Sequence, residues 1–253
     1  MSQSVERFSS RVENYARYRP GYPTAIVELL ESECHLTSES VVADIGSGTG
    51  KLSEVFLNNG NVVFGVEPNA AMREAARRLL EVHPGFRSID AAAESTTLAS
   101  ASVDFVTAGQ AFHWFEPDKF KAEVARIIKP LGWAVLIWNE RLIDTTPFLR
   151  AYEELLSQYG TDYQVVRHEN SGEAIKSFFA PYDFKVKSFP NAQEFDFAGL
   201  KGRVLSSSYT PESTHPNFEP MLRNLNEIFE KYEKDGRISL DYDTKVYYSQ
   251  IRS

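Results

Sequence analysis

Two hydrophobic rhythms alternate along the first 140 residues. Short apolar runs at 41–45 (VVADI), 61–67 (NVVFGVE) and 133–138 (WAVLIW) have the length and composition of strands buried on both faces, and 86–90 (FRSID) and 102–109 (SVDFVTAG) complete a set of five. Between them apolar residues recur every three or four positions, the period of a helix with one buried face. Residues 3–18 place Phe8, Val12 and Tyr15 on such a face, and RPGYP at 19–23 stops the helix. A second helix carries Ile26, Val27, Leu29 and Leu30, and a third, 51–58, turns Leu52, Val55 and Phe56 inward. Asn69 is placed to cap a fourth, which buries Met72, Ala75, Leu79 and Val82 before HPG at 83–85 halts it. Pro117 opens a fifth over Phe120, Val124, Ile127 and Ile128, and PLG at 130–132 breaks it.

Strands alternating with helices predict a parallel sheet covered on both faces. After Trp138 the rhythm changes: a helix near 146–158, an alternating strand at 184–189 (FKVKSF), helical stretches near 197–207 and 217–234, and a last strand at 244–251 (TKVYYSQI). The expected architecture is a single α/β domain, Rossmann-like and doubly wound, with a mostly parallel seven-stranded sheet. Within its 253 residues the expected parts are a helical cap at 1–35, a core at 38–190, an insertion at 191–236 on the substrate side and a last strand at 237–253. Long additions at the loop end of a sheet usually shape access to a site.

Composition narrows the function classes. With 42% hydrophobic residues, 17 Phe and 12 Tyr, the chain has ample material for a core. A formal net charge of −8 works against a protein that grips nucleic acid, so none is expected as partner. No run approaches membrane-spanning length and no targeting segment is apparent, which predicts a cytoplasmic protein. Cys34 is the only cysteine, and with His35 beside it there is still no metal-ligand spacing, so no metal is expected. His35, His83, His168 and His215 are scattered and read as surface or loop residues.

The chemistry gathers at the end of the first strand, in Gly46-Ser47-Gly48-Thr49-Gly50-Lys51. A triphosphate loop needs glycine where Ile45 stands and Ser or Thr where Leu52 stands; the dinucleotide fingerprint needs glycine where Lys51 stands. What remains is acid-x-Gly-x-Gly-x-Gly. Asp44 before the turn suits a ligand carrying an ammonium group and repels a pyrophosphate. Glu67, ending the second strand, offers two carboxylate oxygens to the two hydroxyls of a ribose. This pattern closely resembles the first motif of the class I S-adenosylmethionine-dependent methyltransferases.

That resemblance implies S-adenosyl-L-methionine as cofactor, S-adenosyl-L-homocysteine as product, no metal and a small-molecule methyl acceptor. The cofactor contacts it implies are Asp44, Gly46, Ser47, Gly48, Gly50, Glu67 and Pro68, with Ala93 and Glu94 of the AAAES turn (91–95) at the adenine. Met72 is expected either against the adenine face or simply in the core of its helix. Gln110 faces the methionine part, and Tyr15 and Arg19 lie on an N-terminal segment that folds over the cofactor as a lid, placed to bind the cofactor's carboxylate or an acidic acceptor; a helix-terminal ion pair is the plainer role for Arg19. The forms QAFHWF (110–115), YARYRPGYP (15–23) and WNER (138–141) resemble a subgroup that includes the trans-aconitate methyltransferase-like proteins.

On the acceptor side, Trp114 and Trp138 are expected to wall the pocket and Arg141 to contact substrate. Two arginines favour an acceptor bearing a carboxylate; a hydroxyl is the other candidate. His113 is the one histidine at the catalytic strand end and the candidate general base or acceptor contact, since imidazole titrates near about 6.5. Its plainer role is a hydrogen bond to backbone beneath the cofactor. Two other functions fit parts of the pattern: a nicotinamide-dependent oxidoreductase, and a protein that binds S-adenosylmethionine without catalysis.

Overall fold

β1 (Val41–Ile45) is the axis of the structure, a computed structural model that describes residues 12–161, 163 and 171–251. Val42 to Ile45 are all buried, as an apolar run between two strands must be. β2 (Val62–Val66) and β4 (Val103–Gly109) flank it in parallel, which sets Asp44 between Gly65 and Thr107. β3 (Phe86–Ile89) extends the sheet beyond β2, and β5 (Ile128–Arg141) beyond β4. β7 (Ile238–Gln250) joins β5 antiparallel, and β6 (Lys185–Phe195) pairs antiparallel with β7, giving the order β3-β2-β1-β4-β5-β7-β6. The winding reverses between β1 and β4, where a doubly wound sheet opens a crevice for ligands.

Nine helices are described: α1 (Val12–Tyr18), α2 (Ala25–Cys34), α3 (Lys51–Asn58), α4 (Ala70–Leu79), α5 (Pro117–Ile127), α6 (Pro147–Tyr159), α7 (Ser171–Phe179), α8 (Phe197–Leu205) and α9 (Phe218–Tyr232). Alternate residues of β1 feed opposite faces of the sheet. Ala43 and Ile45 join Phe120, Val124 and Phe178 on one side, while Val42 meets Ile26, Leu30 and Phe56 on the other. A third core, with Leu149, Tyr152, Leu200 and Leu225, holds α6, α8 and α9 together over the end of the sheet.

Several expectations shift. Leu79 and Val82 are 49% and 76% exposed; the buried pair is Ala76 and Leu80. The helix ends at Leu79, so Leu80 falls one turn beyond Ala76 and packs on Gly50, where an added Cβ would lie 2.5 Å from its Cδ1. In α3, Val55 is only half-buried, and Ser53 and Leu57 are enclosed beside Leu52 and Phe56. PLG does not separate α5 from β5: the strand starts at Ile128 and absorbs Leu131, at φ +64°, as an irregularity in its pairing with β4. β6 and β7, of 11 and 13 residues, run beyond the alternating stretches 184–189 and 244–251, so the helical insertion between them begins after Phe195, not at 191. α7 had no counterpart in the sequence reading. His35 and His215 are exposed and His83 half-buried; Phe8 and His168 lie outside the described residues.

α1 and the RPGYP segment bridge two regions. Val12 packs with Met72 and Ala75 of α4, while the Tyr18 ring lies against Gly202 of α8, where any side chain would collide with it. Gln193 Nε2 donates to the Tyr18 carbonyl (3.1 Å), and Asn139 and Asn191 both donate to the Gly21 carbonyl (3.0 Å each). Among the described residues no helix is long and apolar enough to cross a membrane, and no group of three His, Cys, Asp or Glu converges as metal ligands would.

Candidate functional site

The turn after β1 is built by backbone conformations that favour glycine. Gly46 has φ +67°, and a Cβ there would lie 2.6 Å from the Ala111 Cβ. Gly48, at φ +55°, has no heavy atom within 4 Å of its Cβ position, so its open face admits a ligand against the backbone. The amides of Gly46 and Ser47 donate to the Val66 carbonyl (2.8 and 3.1 Å), tying the turn to the end of β2. Glu67 finishes the tie: Oε2 accepts from the Gly48 amide (3.0 Å) and Oε1 from the Asn69 amide (2.8 Å). Burial raises the Glu67 carboxyl above its usual range, against the pull of those two amides and of Arg73. Asn69 caps α4 as expected, accepting from the amides of Ala71 and Met72.

Asp44 is fully buried beneath the turn, held by the hydroxyls of Ser53 (2.6 Å) and Thr107 (3.4 Å). Burial dominates its titration and lifts it from 3.8 to about 7, with the two hydroxyls opposing. No cation pairs with it among the described residues. A carboxylate in this state favours the approach of a positive group.

The 91–95 turn closes through an Ala92–Ser95 bridge, with Ala93 buried. Glu94 Oε1 accepts from the Glu116 amide at the start of α5 (2.8 Å). Next to it, Thr96 gives its amide and hydroxyl to Glu123 (2.7 and 2.5 Å). Hydrogen bonding from Arg126 first, and then from Thr96, holds the Glu123 carboxyl down at about 2.

A cavity of about 580 Å³ opens over the ends of β1, β4 and β5. Of the expected residues it is lined by Tyr15, Arg19, Asp44, Gly46, Ser47 and Gly48 on one side, and by Gln110, His113, Trp114, Trp138 and Arg141 on the other. Gly50, Glu67, Pro68, Met72, Ala93 and Glu94 are not part of its lining; they stand at the turn's far end, after β2 and β3, and, for Met72, in the first turn of α4. Met72 is 4% exposed and packs with Val12 and Ala75, the core role. Gln110 sits at φ +53°, an uncommon conformation outside glycine, and its Oε1 accepts from the Asn139 amide (3.0 Å). Strain of this kind gathers at functional positions.

The acceptor-side residues divide. His113 and Trp114 form a short 3-10 turn at the cavity mouth, both exposed, with ring centroids 4.8 Å apart. Trp138 is 2% exposed and contacts Phe112 and Tyr247 edge-on, its Nε1 enclosed without an acceptor. Arg141 is engaged by protein: it donates to Glu153 and to the Tyr163 hydroxyl (2.9 Å), and lies 5.0 Å above the Tyr152 ring. Arg19 donates to the Ser206 carbonyl (3.2 Å) and stacks 5.3 Å from the Tyr15 ring, and no acid forms the helix-terminal ion pair with it among the described residues.

Sequence reading assigns no site role to Arg203 or Tyr22, and offers Tyr209 only as an insertion aromatic with no motif to place it; all three stand on the cavity wall. The signal for Arg203 was a cation in the apolar stripe of α8, between buried Leu200 and Val204. Burial alone raises the Tyr209 phenol, but Arg203, then Arg19 and Arg141, bring it below its usual range.

Residues 43–136 match the family model of a methyltransferase domain. An uncharacterised methyltransferase of Schizosaccharomyces pombe is 29% identical over 96% of both chains. A second from the same yeast is 29% identical, over 62% of this chain and 60% of its own length. One from Mycobacterium tuberculosis reaches 36% over 53% of this chain and 52% of its own, so the chain spans little more than half of some curated relatives. Among solved structures, a putative type II methyltransferase from Anaeromyxobacter dehalogenans superposes with a TM-score of 0.67 at 21% identity, covering 93% of this chain and 99% of that one. A Haemonchus contortus phosphoethanolamine N-methyltransferase in complex with S-adenosyl-L-methionine shares the fold with a TM-score of 0.57 at 14% identity, over 97% of this chain and 57% of that one.

Proposed function

We propose that the chain is a class I S-adenosylmethionine-dependent methyltransferase, a reading supported by the matched domain at 43–136, the yeast relative and the shared fold, that its 46–50 turn holds S-adenosylmethionine and that the cavity holds a small acceptor bearing a carboxylate or a hydroxyl. The observation that carries this reading is the pairing of buried, uncompensated Asp44 with the open backbone of Gly48. An acid there attracts the ammonium of the methionyl group and repels a pyrophosphate. Glu67 takes the ribose, Gln110 the methionyl end, and Ala93 and Glu94 the adenine; α1 and Arg19 cover the site.

The bound cofactor supplies a methyl group on a positively charged sulfur, which leaves with the sulfur–carbon electron pair as the acceptor's lone pair forms the new bond. The chain's task is alignment. It must hold the acceptor atom in line behind the methyl carbon, at about 3–3.5 Å. Gln110, fixed by the Asn139 amide, and Trp138, fixed by Phe112 and Tyr247, give that region rigid walls. A carboxylate acceptor is already an anion and needs no base. For a hydroxyl acceptor, His113 at the mouth takes the proton. The likeness of QAFHWF, YARYRPGYP and WNER to the trans-aconitate methyltransferase-like subgroup supports polycarboxylic acids as the first acceptors to try.

Thermal unfolding separates the readings. S-adenosylhomocysteine is expected to raise the melting temperature and NAD to leave it unchanged; the reverse pattern would overturn the assignment in favour of an oxidoreductase. Transfer of label from methyl-labelled cofactor to a carboxylic acid then distinguishes an enzyme from a non-catalytic binder, for which the shift persists without transfer to any acceptor.

A further inference from the structure

Arg203 is 4% exposed and has no acid for a partner. Its Nε donates to the Tyr242 hydroxyl (3.3 Å) and one amino group to the Ser207 hydroxyl (3.1 Å), both neutral oxygens. Arg19, bonded to the Ser206 carbonyl at the end of α8, lines the same cavity, and the two repel: after burial, Arg203 is the main influence lowering the Arg19 titration. The Arg19 Nε is enclosed without an acceptor. Among the described residues no carboxylate pairs with either guanidinium, whereas Arg141 has Glu153. A buried cation without a counter-charge is strongly unfavourable, and two side by side more so. They are nonetheless held in place, Arg19 by Ser206 and Arg203 by the core of α8.

We infer that Arg203 and Arg19 form the seat for a carboxylate of the methyl acceptor, with Arg203 the residue that selects it and Arg141 held in a supporting position by Glu153. The inference rests on the function proposed above. Guanidinium forks match a carboxylate's two oxygens, and the phenol of Tyr209, which lines the same cavity, can donate to it; Tyr242 instead gives its proton to Gln193 (3.0 Å) and orients Arg203. The seat joins the N-terminal lid to the insertion, so an acceptor that fills it also draws those two elements together. It stands apart from Asp44, which the cofactor's ammonium occupies.

The test is calorimetric titration of small mono-, di- and tricarboxylates, with inorganic phosphate as comparator, into the full chain saturated with S-adenosylhomocysteine. Wild type is expected to bind at least one carboxylate, and Arg203→Met to weaken that binding about tenfold or more while S-adenosylhomocysteine binds as before. Ligand-free Arg203→Met is expected to melt no lower than wild type, because the change removes an uncompensated buried charge. Arg203→Lys, which keeps the charge and loses the fork, should fold and also bind weakly. Undiminished carboxylate binding in Arg203→Met, or competition between the carboxylate and S-adenosylhomocysteine, overturns the assignment. So does failure of every carboxylate to bind wild type, or a lowered melting temperature in Arg203→Met. Failure of S-adenosylhomocysteine itself to bind wild type counts instead against the cofactor reading.

Discussion

Replacing Glu67 with alanine is expected to weaken S-adenosylhomocysteine binding by roughly 30- to 1,000-fold, the equivalent of about 2–4 kcal/mol for hydrogen bonds from two hydroxyls to a charged group. Two effects act together. The carboxylate offers its free lone pairs to the ribose, and its existing bonds to the amides of Gly48 and Asn69 hold the turn and the start of α4 in register. Glu67→Gln keeps one carbonyl oxygen for the Gly48 amide but offers a donor where a second acceptor stood, so an intermediate loss is expected. Calorimetric titration of the three proteins checks the order. Equal affinity in all three would remove Glu67 from the cofactor site.

The second large effect is a pH dependence set by Asp44. Its folded-state carboxyl is raised by burial from 3.8 to about 7. A raised acid contributes stability while protonated, so the contribution is complete below 3.8 and is lost as pH rises through about 7. The slope is about 1.4 kcal/mol per pH unit within that window. A ligand whose ammonium faces Asp44 favours the ionised form, so binding releases a proton below neutrality. Affinity for S-adenosylhomocysteine is therefore expected to rise about tenfold per pH unit between about pH 5.5 and 7 and to level off above. In Asp44→Asn the profile should be nearly flat, and the affinity at pH 8 lower than wild type, since the amide brings no charge. A wild-type profile without a rise below neutrality would show that no cation sits against this carboxylate.

Local chemistry made half of this site legible. Asp44, the glycines and Glu67 lie within 24 residues, and each is marked by its position at a strand end. The same holds for Asn69, whose capping role follows from one side chain and the next two amides. The acceptor wall was not legible because it is assembled across the chain: Arg19 meets Ser206, 187 residues away. No spacing rule anticipates that Arg141 meets Glu153 while Arg203 meets only hydroxyls.

The fold follows the same division. Strands buried on both faces announce themselves as apolar runs, and β1, β2 and β4 stand where those runs predict. β6 is an edge strand whose exposed residues, from Lys185 to Ser188, carry little apolar signal, and its pairing with β7 decides how far it extends. At α4 the helical period was read three residues too far. Leu80 shows the limit, because the chain leaves the helix there and tertiary packing on Gly50 chooses the buried residue.

The most direct measurement is a crystal structure of the chain with S-adenosylhomocysteine bound. The ribose hydroxyls should lie within hydrogen-bond distance of Glu67, the amino group should face Asp44, the adenine should rest by Ala93 and Glu94, and the sulfur should point into the cavity beside Gln110. A ligand bound away from the 46–50 turn, or one seated there with its ribose turned from Glu67 and its amino group from Asp44, would contradict the methyl-donor site described for this chain.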